Sequence, residues 1–195
     1  MRPLYETNLA AGLVLGVAVL VWVVAEVRQS QRTRSDATET DAGSRQLLRI
    51  TIGAGWFLAF ISVNRFPEAT IRSGRVASYI VGVALVWVGA GLRLWAFQTL
   101  GRYFTFSVMT SADQKVVTAG PYRLIRHPGY AGGALAMAGV GLAMGNWISA
   151  VALTLVPLIG TINRIRVEEA ALLAAIGYSY RSYADGRKRL VPYLW

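Results

Sequence analysis

The chain has 195 residues, of which 54% are hydrophobic and 15% are charged. A soluble domain of this length carries about a quarter charged residues, so the composition excludes an ordinary soluble protein. The absence of cysteine excludes disulfides and a cysteine nucleophile, and a single histidine argues against a zinc centre. The net charge of +10 is spread between apolar runs, which favours membrane lipids over nucleic acid as its partner.

The apolar runs predict an all-α integral membrane protein with about five transmembrane helices. Span 1 covers Leu9 to Val27 and is interpreted as an uncleaved anchor rather than a signal peptide. A polar loop over residues 28–46 follows, and its composition predicts a solvated segment without a core of its own. Span 2 covers Leu47 to Val63 and span 3 covers Val76 to Leu100, so residues 1–99 are predicted to hold three membrane helices.

The second region, residues 100–195, contains an apolar run over 130–163 that is too long for one crossing. A straight helix of that run would be about 50 Å long, against about 30 Å of hydrocarbon. Gly145 and Asn146 are the expected turn, which makes spans 4 and 5 a helical hairpin with short arms. A polar, arginine-rich tail follows the hairpin.

The distribution of basic residues predicts the orientation of the chain. With five spans and the N-terminus outside, fourteen Lys and Arg residues lie inside and four lie outside, which satisfies the positive-inside rule. The segment over 101–129 and the C-terminal tail then share the cytoplasmic face of the cell's inner membrane, where they can form one site.

The only histidine, His127, lies in the run Gly120-Pro-Tyr-Arg-Leu-Ile-Arg-His-Pro-Gly-Tyr130. Histidine is the side chain that ordinarily changes charge near neutral pH, and its place beside arginines, prolines and tyrosines is typical of a functional site. An interfacial loop with snorkelling arginines and anchoring tyrosines accounts for the same residues equally well.

A second cluster follows span 5, where Arg164 and Glu168 are four residues apart. If the helix continues past the membrane edge, these two share a face and can pair. The adjacent carboxylates of Glu168 and Glu169 are costly there unless they are solvated or partnered. A ligand site and a pair of helix-end charges facing water both explain them. Glycine pairs such as Gly89-Ala-Gly91 and Gly139-Val-Gly141 favour close helix packing, because no strand precedes them as a nucleotide loop requires.

Taken in order, these motifs resemble the isoprenylcysteine carboxyl methyltransferase family. The resemblance covers about residues 100–195, and the first three spans agree in hydropathy only. Arg-His-Pro-x-Tyr alone is shared with phospholipid methyltransferases and steroid reductases, whereas the ordered set is more specific. The matching segments are Leu100-Gly101, Lys115-Val-Val, Gly120–Tyr130, Arg164-x3-Glu168-Glu169-x2-Leu172, Gly177-x2-Tyr180-x2-Tyr183 and Arg189-Leu-Val-Pro192.

The resemblance implies a methyltransferase that uses S-adenosylmethionine and acts on a lipophilic acceptor, an isoprenylcysteine-like carboxylate or another lipid, reached from the bilayer. The implied catalytic residues are Arg164 and Glu168, with Arg126 nearby, and no metal is implied. Gly129, Gly132 and Gly133 depart from the family where larger residues would shape the pocket, which leaves the acceptor open. The implied cofactor-binding residues are Val116, Gly120, Tyr122, His127, Pro128, Tyr130 and Glu169.

A carboxylate acceptor requires orientation and desolvation rather than a general base. Arg164 would orient it and Glu168 would fix the guanidinium, whereas an amine or phenol acceptor would need a proton acceptor at Glu168 or His127. With Pro128 and Tyr130, His127 fits a wall of the cofactor pocket better than a catalytic base. Two other functions stay open at this point: a nicotinamide-dependent (NADPH) reductase of a lipid double bond, and a non-enzymatic membrane assembly module.

Overall fold

The computed structural model describes residues 3–30, 38–39, 41–101, 109–110 and 116–195. Within these residues the regular secondary structure is helical apart from one short ribbon, in which β1 (Thr38–Glu39) pairs antiparallel with β2 (Met109–Thr110). Single turns of 3-10 helix cover Pro67–Ala69 and Gly120–Arg123. The helices are α1 (Leu4–Thr7), α2 (Leu9–Ser30), α3 (Ser44–Arg65), α4 (Arg75–Leu100), α5 (Pro128–Ala143) and α6 (Trp147–Asp185).

Four of the described helices are long and apolar enough to cross a membrane, namely α2 over Leu9–Gln29 and all of α3, α4 and α6. The 16 residues of α5 form a helix about 24 Å long, which is shorter than a hydrocarbon core of about 30 Å. The prediction of an all-α chain is therefore confirmed apart from the two-residue strands. Of the five predicted spans, four have the length of a membrane helix.

The predicted membrane spans agree with helices in the structure, but three helix ends differ. α6 continues past the predicted end of span 5 to Asp185, so much of the predicted polar tail is helical. α2 continues to Ser30 and α3 already begins at Ser44, so both helices extend into the predicted polar loop. The predicted turn at Gly145 and Asn146 does separate α5 from α6. The Asn146 side chain accepts hydrogen bonds from the amides of Ile148 and Ser149, which caps the start of α6.

α4 and α5 lie antiparallel and very close together because glycines remove side chains from both contact faces. A Cβ atom on Gly89 would lie 2.5 Å from the carbonyl oxygen of Gly132, and one on Gly139 would lie 2.6 Å from that of Gly82. No side chain fits at such distances. Close packing at Gly89 and Gly139 is confirmed, and Gly132, which departs from the family's pattern, is required by the same contact.

α3 and α6 also lie antiparallel, and their contact is made by small and polar side chains. A Cβ atom on Gly160 of α6 would lie 2.7 Å from the Cα atom of Leu48. This packing places the N-terminal end of α3 beside Arg164, near the middle of α6. The buried residues of α3 recur at helical spacing and are Ser44, Thr51, Gly55, Ala59 and Ser62.

The residues that follow α6 return to the histidine-containing run. The amide of Arg126 donates to the carbonyl of Lys188 at 2.8 Å, and the amide of His127 donates to the carbonyl of Arg189 at 2.9 Å. Ile125 and Lys188 form a parallel bridge at the same place. Two segments that the sequence analysis expected to share one site are thus joined through their backbones.

Candidate active site

Two prolines set the local structure of the histidine-containing run. Pro121 lies in the first turn of a 3-10 helix and Pro128 in the first turn of α5. Proline suits these positions because the first amides of a helix need no intrahelical partner and the φ angle is already helical. His127 is the residue before α5, and its carbonyl accepts hydrogen bonds from the amides of Tyr130 and Ala131, both at 3.1 Å. His127 thus satisfies the amides of Tyr130 and Ala131, and Tyr130 lies in the first turn of α5.

Glu169 of α6 is the centre of a group of charges that we call the Glu169 cluster, which comprises Arg126, His127, Glu169 and Arg189. Its Oε1 lies 2.9 Å from Nη1 of Arg126 and 3.0 Å from Nε2 of His127. Its Oε2 accepts from Nε and Nη2 of Arg189 at 3.0 and 2.8 Å. Glu169 and His127 are only 7% and 5% exposed. Two guanidinium groups share one carboxylate, so the cluster carries an excess of positive charge.

Two buried polar atoms beside the Glu169 cluster have no hydrogen-bond partner among the described residues. They are Nε of Arg126 and the hydroxyl of Tyr180, and Tyr180 interacts electrostatically with both Glu169 and Arg126. Buried donors are nearly always paired in folded proteins. Two unpaired donors next to an excess of positive charge suit a ligand that offers carboxylate or hydroxyl oxygens.

One turn earlier on α6, Arg164 organises a second group that we call the Arg164 cluster, which comprises Asp41, Ser44, Tyr130, Arg164 and Glu168. Nη1 of Arg164 forms an ion pair with Oδ1 of Asp41 and donates to the Ser44 hydroxyl at 2.9 Å. Nε of Arg164 donates to the Tyr130 hydroxyl at 3.2 Å, and that hydroxyl donates to Oε2 of Glu168 at 2.9 Å. Arg164 is only 3% exposed, so its charge depends on these partners.

The two clusters are neighbours. Glu168 and Glu169 are consecutive on α6, and the rings of His127 and Tyr130 have centroids 5.8 Å apart. Two residues contact members of the other predicted group. Tyr130, predicted for the cofactor pocket, lies with the predicted catalytic residues, whereas Arg126, predicted beside Arg164, contacts Glu169. The expected link between Arg164 and Glu168 runs through the Tyr130 hydroxyl.

The remaining predicted cofactor residues lie along the chain that leads into α5. Tyr122 and Pro128 are buried, and the carbonyl of Tyr122 accepts from the hydroxyl of Tyr183 at 2.9 Å. Burial, together with the charge of Glu168, raises the pKa of the Tyr122 hydroxyl, so this group stays protonated at neutral pH. Gly120 has a φ angle of 53°, a conformation that glycine adopts without strain.

Val116, also predicted for the cofactor pocket, borders a cavity of about 500 Å³ between the segment before Gly120 and the C-terminal part of α6. This volume lies within the usual range of small-molecule sites, about 300–1,000 Å³. The lining is mixed and includes hydroxyl groups and one guanidinium. The lining residues are Val116, Thr118, Ile176, Ser179, Ser182, Tyr183 and Arg187.

Comparison with known proteins decides the family. The model of the phospholipid methyltransferase family matches residues 77–177 of the 195. A probable protein-S-isoprenylcysteine O-methyltransferase from Oryza sativa subsp. indica is 35% identical over 131 residues, which are 66% of this chain and 67% of that protein. The chain belongs to the isoprenylcysteine carboxyl methyltransferase family. Protein-S-isoprenylcysteine O-methyltransferase A of Arabidopsis thaliana is 34% identical over 115 residues, 58% of each chain.

A solved structure agrees with this membership. The eukaryotic intramembrane Ras methyltransferase ICMT superposes with a TM-score of 0.62 and 29% identity, over 75% of this chain and 52% of that chain. This chain thus spans about half the length of that methyltransferase. Membership in the family confirms the predicted resemblance and the class of integral membrane methyltransferase, and it gives no support to a reductase.

Within this member of the isoprenylcysteine carboxyl methyltransferase family, sequence reasoning missed Asp41 and Ser44. The loop over 28–46 was expected to be solvated, yet Asp41 accepts from the Arg45 amide at 3.0 Å and from the Ser44 hydroxyl at 3.1 Å. An aspartate and a serine before an apolar helix are a capping signal, so the local contact was detectable. The ion pair with Arg164, 123 residues away, has no local signal.

Asp41 is charged in this setting. Burial by itself would raise the pKa of Asp41, but hydrogen bonds from the Arg45 amide and the Arg164 guanidinium outweigh it, so the pKa is lower than usual. Asp41 is therefore an anion at neutral pH and a strong partner for Arg164.

Two further arginines support the site. Arg189, which was matched to the family but given no role, binds Glu169 through two nitrogens. Arg93 of α4, which was predicted inside a span, donates from Nη1 to the carbonyl of Gly129 at 2.6 Å and from Nη2 to Glu26 of α2 at 2.9 Å. Arg93 therefore connects α2 and α4 to the first turn of α5, at a residue that follows His127 by two positions.

Proposed function

We propose that the protein transfers a methyl group from S-adenosylmethionine to the carboxylate of a prenylated cysteine or a similar lipophilic acid. The main support is the pair of adjacent clusters on α6, since one has unused donors for an anionic ligand and the other holds a buried guanidinium that fits a carboxylate. The names of the rice and Arabidopsis relatives specify an isoprenylcysteine substrate for those proteins.

Arg164 is the residue that would bind the acceptor. A planar guanidinium can hold a carboxylate through two parallel hydrogen bonds, which fixes its orientation. The burial of Arg164 also removes water from the acceptor, and a desolvated carboxylate is a better nucleophile. Tyr130 and Glu168 orient the guanidinium from α5 and α6. When bound, S-adenosylmethionine supplies a methyl group that a carboxylate accepts without losing a proton, so neither Glu168 nor His127 need act as a base.

The Glu169 cluster fits the amino-acid portion of S-adenosylmethionine. Arg126 and Arg189 would hold its carboxylate, and the unpaired Tyr180 hydroxyl adds a donor. Glu169 already has three hydrogen bonds, one with His127 and two with Arg189, and an ion pair with Arg126, so its role is to position the two guanidinium groups and His127. The cavity beside Val116 has a volume and a lining that suit a nucleoside. Gly120 and Tyr122 belong to the segment between that cavity and the cluster, and Pro128 follows His127 as the first residue of α5.

In this proposal the site lies at the cytoplasmic edge of the membrane. The positive-inside rule places this end of the bundle on the cytoplasmic face, with the N-terminus outside. Arg164 lies on α6 where the apolar part of the helix ends and the charged part begins, so a lipophilic acceptor would enter laterally from the bilayer with its carboxylate at the interface.

The direct test measures binding and transfer with the purified full chain in detergent and in lipid nanodiscs. We expect saturable binding of S-adenosylmethionine by calorimetry, and incorporation of labelled methyl into a prenylated cysteine acid but not into its amide. Glu169→Ala should abolish the binding, whereas Glu68→Ala, which removes an exposed glutamate from the α3–α4 connection, should not change it. The proposal fails if the wild-type protein binds no S-adenosylmethionine in either environment, or if it methylates no prenylated acid.

A further inference from the structure

The ion pair between Asp41 and Arg164 bears directly on how the acceptor binds. Asp41 lies outside the segment that matches the family model, residues 77–177, and it places a carboxylate on the guanidinium that would receive the acceptor. We propose that Asp41 is the resting counter-ion of Arg164, that the acceptor carboxylate displaces it, and that it returns once methylation has made the acceptor a neutral ester. This inference rests on the proposed function.

Arg164 needs an anion when no acceptor is bound. Its guanidinium stays protonated at any physiological pH and is almost completely buried. A buried charge that loses its partner is strongly destabilising. Asp41 and the Ser44 hydroxyl meet this need at one nitrogen, Nη1. The same nitrogen is therefore satisfied by the protein before the acceptor arrives.

Asp41 can leave Arg164 without becoming unpaired itself. Its carboxylate also accepts from the Arg45 amide and the Ser44 hydroxyl at the start of α3. These donors belong to a helix N-terminus, where a carboxylate is stabilised by the free amides and the helix dipole. Glu168 differs, because it is carried by α6 and is held by the Tyr130 hydroxyl. Asp41 is thus the carboxylate of the Arg164 cluster that keeps hydrogen-bond donors, the Ser44 hydroxyl and the Arg45 amide, when its ion pair with Arg164 is broken.

The acceptor loses its negative charge during the reaction, and this change determines whether the acceptor or Asp41 pairs with Arg164. An acceptor carboxylate and Asp41 are both anions, so they repel each other and compete for one guanidinium. When the carboxylate oxygen bonds to the methyl carbon, the bond from that carbon to the sulfonium sulfur breaks and S-adenosylhomocysteine is left. The acceptor is then a neutral ester, which attracts a guanidinium far less. Asp41 then regains Arg164. Asp41 therefore weakens the binding of the acid, and by re-pairing with Arg164 it favours release of the ester.

The experiment compares Asp41→Asn with the wild-type chain, because asparagine keeps an oxygen for the α3 cap but loses the charge. Dissociation constants are measured by calorimetry in nanodiscs that contain S-adenosylhomocysteine, with a prenylated cysteine acid and its uncharged amide. We expect Asp41→Asn to bind the acid about tenfold more tightly, within the range of coupling energies between charged neighbours. The amide should change by less than about threefold. Equal or weaker binding of the acid, or an equal gain for the amide, overturns the proposal.

Two further variants separate charge from helix capping. Asp41→Glu restores the competing carboxylate and should bind the acid as weakly as the wild-type chain, within about twofold. Asn8→Ala removes a comparable cap at the start of α2, where the Asn8 side chain accepts from the Ala11 amide at 3.0 Å. That variant should bind the acid as the wild-type chain does. Tight acid binding by Asn8→Ala would show that a loosened helix end, rather than the charge of Asp41, controls affinity.

Failure of this inference is distinguishable from failure of the proposed function. A wild-type protein that methylates prenylated acids, together with an Asp41→Asn variant that gains no affinity for them, refutes the role of Asp41 alone. A wild-type protein that methylates no prenylated acid refutes the proposed function.

Discussion

The Glu169 cluster and the Arg164 cluster lie one turn apart on α6, yet they differ in charge and in origin. The Glu169 cluster has two arginines for one carboxylate, whereas the Arg164 cluster has one arginine for the two carboxylates of Asp41 and Glu168. Under the proposed function, the excess of positive charge suits the carboxylate of S-adenosylmethionine. The excess of negative charge suits its sulfonium and would admit an acceptor anion only by exchange with Asp41.

The origins of the two clusters differ as well. The Glu169 cluster is built from the histidine-containing run, α6 and the C-terminal tail, all of which lie in the part of the chain that resembles the family's motifs. The Arg164 cluster takes two members, Asp41 and Ser44, from the segment before α3, outside the matched residues 77–177. The two clusters therefore draw on different parts of the chain, because only the Arg164 cluster includes residues that precede α4.

The largest expected effect comes from removing the guanidinium of the Arg164 cluster. Arg164→Ala should lower kcat/KM for the acceptor by about a thousandfold, the upper range for removing one group that orients or stabilises a developing charge. The dissociation constant of S-adenosylmethionine should stay within about twofold. Arg166→Ala, which removes an exposed arginine two residues away, is the matched control. If Arg164→Ala lost cofactor binding together with catalysis, the two clusters would not have separate roles in binding acceptor and cofactor.

The two consecutive glutamates test the same distinction from the other side. Glu169→Gln removes the charge that holds Arg126, His127 and Arg189, and we expect the affinity for S-adenosylmethionine to fall about 30- to 100-fold, as when one partner of a buried charge pair is removed. Glu168→Gln should leave that affinity within about threefold and lower kcat instead. Calorimetry and initial rates measure both. Equal loss of cofactor affinity in the two variants would contradict separate roles.

A smaller effect is expected from the hydroxyl that links Arg164 to Glu168. Tyr130→Phe removes two hydrogen bonds and keeps the ring beside His127, so kcat should fall about tenfold. Cofactor affinity should be nearly unchanged if Tyr130 belongs to the acceptor side, and should fall if it belongs to the cofactor pocket, as the sequence predicted. Tyr178→Phe, at a residue that is 85% exposed, controls for the loss of a hydroxyl.

Local patterns were sufficient to predict the apolar helices, but not the continuation of α6 from Arg164 to Asp185. Hydropathy located α2, α3 and α4, and the combination of an overlong apolar run with Gly145 and Asn146 predicted the α5–α6 hairpin. Close packing at Gly89 and Gly139 followed from glycines within apolar helices. Each of these inferences depends on neighbours in sequence or on one helix face, and for that reason no long-range information was needed.

The partners within the site could not be predicted in the same way. Glu168 and Glu169 are adjacent in sequence, but consecutive residues on a helix point about 100° apart, so they reach different partners. The contact of Arg126 with Glu169 depends on the backbone pairing of Arg126 and His127 with Lys188 and Arg189. The ion pair of Asp41 depends on the antiparallel packing of α3 on α6. Spacing rules within one helix describe none of these contacts.

The smallest expected effect is a pH dependence that isolates the counter-ion of the Arg164 cluster. Because the pKa of Asp41 is lowered in the folded protein, its charge adds stability above the unfolded pKa of about 4, and this contribution is lost as the pH falls through the folded value. Asp41→Asn has no such charge. The midpoint of thermal unfolding in detergent should therefore fall more steeply in the wild-type chain than in Asp41→Asn as the pH falls below about 4. Parallel curves for the two proteins would mean that the ion pair adds nothing to folding, and that Arg164 is held by Tyr130 and Ser44 instead.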